Sequence, residues 1–104
     1  MFGNMKEMLK QAQNMKSQMD KVKKELEQIE VEGSDSNGGC VVKMTADMKV
    51  AEVSLDETLL SSNKEVIDNA IKVATNDALT KAKDTAAKKL KSVTGGLSDM
   101  LPGL

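Results

Sequence analysis

Histidine, arginine, tryptophan and tyrosine are absent from the 104 residues, and phenylalanine, cysteine and proline occur once each. Without histidine the chain lacks both the commonest general base near neutral pH and the commonest nitrogen ligand for metals. The single thiol, Cys40, has no partner for an internal disulfide and no histidine to activate it, and it opens an apolar strand, so it reads as a structural thiol in a reducing compartment. The ligand count excludes zinc, and the scattered carboxylates lack the alternation of a calcium loop. No hydrophobic run approaches the roughly 20 residues of a membrane span. The opening Met1-Phe2-Gly3-Asn4-Met5-Lys6 has no apolar signal segment, so the expected location is the cytoplasm. An enzyme, a cofactor and a small-molecule substrate are therefore not expected.

The absence of arginine removes the bidentate group that reads guanine, and the near absence of aromatics removes a platform for stacking unpaired bases. If a nucleic acid is bound, it is held by its backbone, and a duplex suits the chain better than a single strand. The fifteen basic residues, all lysine, nearly balance sixteen acids, but unevenly along the chain. Residues 1–26 carry six lysines against three acids, residues 27–77 four against eleven, and residues 78–104 five against two. Two basic ends flank an acidic centre. Lys16, Lys21, Lys23 and Lys24 at one end and Lys81, Lys88, Lys89 and Lys91 at the other are the candidate phosphate contacts.

What is present is periodicity. Met5, Met8, Ala12, Met15, Met19, Val22, Leu26 and Ile29 recur at steps of three and four, a heptad seam that predicts a helix over 4–27 packed along another helix. Period two follows. Ile29 and Val31 alternate with acids, residues 33–39 supply turn chemistry including Gly33, Cys40–Thr45 is rich in β-formers, Asp47-Met48 marks a turn, and Val50–Leu55 places Ala51, Val53 and Leu55 on one face. These predict a three-stranded antiparallel meander. Thr58–Ser62 reads as a connection, and Ser62 with Glu65 as a capping box. The second helix is predicted over 63–93, with an apolar stripe through Ile67, Ile71, Ala74 and Ala78 that drifts into Leu79, Ala82, Ala86, Leu90 and Val93. Its later half is thin in large side chains, so it is expected to leave the core as an arm. Gly95-Gly96 should end it, giving one domain over 1–94 and a flexible tail over 95–104. So small an apolar inventory predicts a dimer, with Met15, Met19, Val22, Leu26, Val53 and Leu55 at its interface.

In combination, several segments resemble the YbaB/EbfC family of bacterial nucleoid-associated proteins. They are Met1-Phe2-Gly3, Met8-Leu9-Lys10-Gln11-Ala12-Gln13, Val31-Glu32-Gly33 before a glycine-rich hairpin, Val53-Ser54-Leu55-Asp56, Asn76-Asp77-Ala78 and Gly95-Gly96-Leu97. The resemblance covers almost the whole chain. It implies an α+β homodimer whose sheets associate centrally, with helices from both ends projecting as tweezer-like arms that hold double-stranded DNA in the nucleoid. The chain departs from the family pattern at Ala51 and Glu52, where basic residues are common, and at Ala46-Asp47, where glycine is common, which implies weaker DNA affinity than in relatives. The competing expectation is a protein–protein adaptor, in which Met5, Met8, Met15 and Met19 dock a partner helix and the lysines only keep the arms soluble.

Overall fold

The computed structural model describes residues 2–100, with side chains from residue 5 to residue 92. The elements run α1 (Phe2–Gln28), β1 (Glu30–Ser34), β2 (Cys40–Thr45), β3 (Val50–Leu55), α2 (Glu57–Leu60) and α3 (Lys64–Met100). This is the expected α+β order: a long N-terminal helix, an antiparallel meander β1-β2-β3 and a long C-terminal helix. The molecule measures 71 × 27 × 17 Å with a radius of gyration of 19.9 Å. A compact chain of this size would have a radius near 13 Å, so long helices project from a small hub.

The hub has two layers. Cys40, Val42 and Met44 of β2 are fully buried on the face beneath α3, whereas Lys43 and Thr45 alternate onto the opposite, polar face. That polar face carries Glu32, Lys43 and Glu52 side by side across the three strands, with Lys43 and Glu52 3.5 Å apart. α3 lies over β1 and β2 and presents Ala70, Ala74, Ala78, Ala82 and Ala86, all buried. Five alanines at a spacing of four form one stripe along the helix. Side chains so short let the helix backbone approach the sheet closely, and Gly33 is where it does so. A Cβ on Gly33 would stand 2.2 Å from the Ala78 nitrogen and 2.4 Å from the Ala74 oxygen.

Several sequence expectations are corrected here. Gly33 belongs to β1 and is required by this contact, not by a turn; positive φ falls on Gly38 in the hairpin and on Met48 in the β2–β3 turn. A bulge between Lys43 and Met44 sets Val50, not Ala51, opposite Met44, so β3 presents Val50, Val53 and Leu55 to the α3 side. The connection 58–62 contains a helical turn, α2, capped by Asp56, whose carboxylate accepts the Leu59 N–H at 2.7 Å. α3 is capped by Asn63, which accepts the Val66 N–H at 3.0 Å, while the Ser62 hydroxyl donates to the Thr58 carbonyl. Asparagine holds a cap as well as serine does, which is why residue type alone misplaced it by one. The thin later half of α3 is not free of the core: Ala82 and Ala86 are buried. Finally, α3 continues through Gly95-Gly96 to Met100, and residues 101–104 of the expected tail lie outside the described residues.

Candidate nucleic-acid interface

α1 and β1 both run alongside α3 in the antiparallel sense, and three side-chain contacts trace the register, two from β1 and one from α1. The Ser34 N–H donates to the Asp77 carboxylate at 3.1 Å, the Lys81 ammonium donates to the Glu32 carbonyl at 2.9 Å, and the Lys89 ammonium meets the Glu25 carboxylate at 3.1 Å. As one chain segment steps backward, the other steps forward. The first two contacts also close the outer edge of β1, because α3 side chains satisfy backbone groups that would otherwise stand open to another strand. Asp77 is held below the ordinary carboxylate pKa by the Ser34 N–H and then by the Lys81 ammonium 3.2 Å away. β3, at the other edge of the sheet, has no such cover among the described residues.

Beyond the hub, Val22 and Leu26 of α1 pack with Ala46, Ala86, Ile29 and Leu90 into a second small core. The sequence assigned Val22 and Leu26 to a dimer interface; the fold uses them to join the two helices of one chain. Ala46 fits here because its N–H reaches the carbonyls of both Leu26 and Ile29, at 3.1 and 2.8 Å, which locks the β2–β3 turn under the end of α1. Met15 and Met19 remain exposed on the arm, Val53 is exposed at the open strand edge, and Leu55 is half-buried against the main core.

This junction gathers charge that the sequence keeps far apart. With Glu25 beside Lys89, the cluster Lys21, Lys23 and Lys24 on α1 stands level with Lys88, Lys89 and Lys91 on α3. Each cluster spans about 5 Å of helix axis at 1.5 Å per residue, so the six lysines share one stretch of the paired helices where the arms leave the hub. Lys16 lies further out on α1 and Lys81 lower, beside the sheet. Among the described residues Lys16, Lys21, Lys23, Lys24, Lys88 and Lys91 form no ion pair, whereas Lys89 and Lys81 are each held by a carboxylate. Both tethered lysines are partly exposed, and exposed pairs contribute about 0–1 kcal/mol, so a phosphate can compete for them. The level match was invisible in the sequence, which offered two separate runs of lysine and no way to know that they meet.

The hub end is different in character. A cleft of about 440 Å³ between the β1–β2 hairpin and the start of α3 is lined by Asp35, Asn37, Asp56, Glu65, Asn69 and several small or apolar side chains. Its carboxylates would repel a polyanion. Cys40 is fully buried nearby, its thiol pKa pushed up by burial and secondarily by Asp35, the opposite of what a nucleophile needs. Among the described residues no helix is long and apolar enough to cross a membrane, and no group of metal-ligating side chains is assembled.

The comparisons with known proteins agree with this geometry. The crystal structure of an uncharacterized protein from Helicobacter pylori superposes with a TM-score of 0.75, covering 83% of this chain and 91% of that one; at 14% identity this likeness is one of fold. A nucleoid-associated protein of Afipia carboxidovorans is 40% identical over 98 residues, which span 93% of this chain and 91% of the relative. The profile of the YbaB/EbfC DNA-binding family matches residues 1–97, from the first helix through the hub and well into the second arm. A match that takes in every element described above, together with a relative at that identity over nearly its full length, makes this chain a member of the YbaB/EbfC DNA-binding family.

Proposed function

We propose that this protein binds duplex DNA as a homodimer, through lysine–phosphate contacts with little sequence preference, and organises DNA in the nucleoid of the cytoplasm. The observation that carries this reading is the stretch in which Lys21, Lys23 and Lys24 stand level with Lys88, Lys89 and Lys91. A rod of phosphates meets several ammonium groups there at once, while the acidic hub keeps it on the arms. Lys16 extends the basic surface outward and Lys81 extends it toward the sheet. With lysine as the only basic side chain and Phe2 as the one aromatic residue of the sequence, contact is to the backbone and base sequence is not read directly.

The two sheet edges support the dimer. β1 is closed by Asp77 and Lys81, whereas β3 is open, with Val50 and Val53 half-exposed and Leu55 beside them. Pairing β3 with its copy would satisfy its free backbone groups, bury those side chains and join two hubs so that two pairs of arms face one duplex.

Neutralising about four to six phosphates gives a salt slope that weakens binding by about two to three decades between 50 and 200 mM salt. Fluorescence anisotropy with two unrelated duplexes should give this slope and similar affinities for both. Replacing Lys21, Lys23 and Lys24 by Glu should abolish association at the lower salt. A salt-independent affinity, or full binding by the triple variant, would refute the reading.

A further inference from the structure

Asparagine occurs at positions 4, 14, 37, 63, 69 and 76, and all but Asn37 lie in a helix or cap one. Asn14, Asn69 and Asn76 precede Met15, Ala70 and Asp77 inside α1 and α3, where each following N–H is directed along the helix to the carbonyl four residues back. The Asn63 side-chain oxygen is engaged by the Val66 N–H at 3.0 Å. Asn37 differs on each count. It is exposed in the β1–β2 hairpin, its side chain makes no hydrogen bond among the described residues, and the residue after it is Gly38. Gly38 is also exposed, has φ +72, and has no atom within 4 Å of where a Cβ would stand. Around this turn the hairpin is anchored. The Asp35 N–H donates to the Cys40 carbonyl at 3.2 Å, the Cys40 N–H to the Asp35 carboxylate at 2.9 Å, and the Asp56 N–H to the Gly39 carbonyl at 2.8 Å. The turn itself is closed by the Gly38 N–H, which donates to the Asp35 carbonyl at 3.0 Å.

We propose that Asn37-Gly38 is a site of spontaneous covalent modification, at which the Asn37 side-chain amide is lost and the hub gains a negative charge. This is independent of what the arms hold. The Gly38 backbone nitrogen, its proton taken by hydroxide, attacks Cγ of Asn37. The side-chain nitrogen leaves with a proton from water as ammonia, and a five-membered imide remains. Water then opens the imide at either carbonyl, giving aspartate or isoaspartate, so that one water is consumed and one ammonia released overall. Glycine favours the attack because no side chain hinders the approach of its nitrogen and because its backbone turns freely. The ring can close once the Gly38 to Asp35 bond opens, a local event in an exposed turn, whereas at Asn14, Asn69 or Asn76 a stretch of helix must unwind first. The product bears on the hub in two ways. A carboxylate at position 37 joins Asp35, Asp56 and Glu65 along the same cleft and deepens its negative potential. Isoaspartate also routes the main chain through Cβ, and the added methylene displaces Gly38 from Asp35 in the turn that seats Cys40.

Charge separation and peptide mapping test the site directly. The folded full chain, held in mildly alkaline buffer and sampled over time, should accumulate a form richer by one negative charge on anion exchange. Mass spectrometry of its peptides should place the amide-to-acid change at residue 37 and resolve aspartate from isoaspartate, with Asn14, Asn63, Asn69 and Asn76 intact. The same chain unfolded in guanidinium chloride supplies the clock, since it converts without the restraint of the Gly38 to Asp35 bond. Asn37→Gln keeps an amide in the exposed turn but must close a larger, less favoured ring, and it should lose the acidic form. Absence of product at residue 37 of the folded chain when the unfolded chain has converted completely overturns the proposal. An acidic form that persists in Asn37→Gln, or that maps to a helical asparagine in place of residue 37, also overturns it.

Discussion

Leu26 and Met5 occupy the same position of one heptad seam, three repeats apart, yet Leu26 is 7% exposed and Met5 is 65%. Both are unbranched at Cβ, both favour helix, and both fall on the apolar stripe of α1. What separates them is the neighbour: Leu26 has Ala46 and Ala86 against it, and Met5 has no described residue of α3 at its level. A heptad therefore declares a face without naming what covers it. The same contrast recurs in the sheet, where β1 and β3 are both edge strands but, among the described residues, only β1 is closed by a helix.

The largest effect should come where the covering is tightest. Gly33→Ala places a Cβ within 2.2 Å of backbone that cannot swing aside as a side chain can, so α3 must lift from β1. A loss above about 4 kcal/mol is expected, enough to unfold a domain of ordinary stability, and denaturant titration followed by circular dichroism measures it. Near-normal stability would mean that the alanine stripe does not govern the approach of helix to sheet. Next, Leu26→Ala removes the side chain joining the two helices and should cost about 2–5 kcal/mol by the same titration. It should also weaken DNA binding, since the two lysine clusters are held level through this junction.

Asp77→Asn sharpens the comparison of the strand edges. The Asp77 carboxylate is held below its ordinary pKa in the folded state, so the stability it contributes is present above about pH 4 and is lost as pH falls through the depressed value. The variant should melt at a lower temperature than the parent near neutral pH, and the gap should close in acid. A gap that stays constant across that range would remove Asp77 from the edge closure. The smallest effect completes the first comparison: Met5→Ala should change stability by no more than about 0.5 kcal/mol, against the several expected for Leu26→Ala. Equal losses at the two sites would show that the seam is covered along its whole length.

Much of the fold was legible because its elements differ in period. The seam of α1 and the alternation of β2 are patterns of a single segment, and each was found within a few residues of its true bounds. Failures occurred where two segments must be known together. Gly33 looked like a turn residue because its reason for being glycine lies in Ala74 and Ala78 of α3. Alanine in α3 looked like weak packing, although against a sheet backbone at close range alanine is the side chain that fits. The bulge at Lys43 and Met44 shifted Val50 onto the apolar side, and nothing in the alternation of β3 announced it. For the candidate site, all eight lysines could be named from charge runs, but which were tethered and which free depended on Glu25, Asp77 and the Glu32 carbonyl.

By itself, then, the amino-acid sequence determined the α+β class, the order of the elements, the lack of a histidine-based catalytic site and the concentration of lysine at both ends, since each depends on local period or on which side chains exist at all. Only the tertiary structure decided that the two basic ends meet at one level, that Val22 and Leu26 alone of a uniform seam are buried, and that among the described residues one edge of the sheet is closed while the other stands open. Those outcomes come from the antiparallel return of α1 along α3, and the register of a distant pair is fixed by close packing between surfaces that no single segment contains.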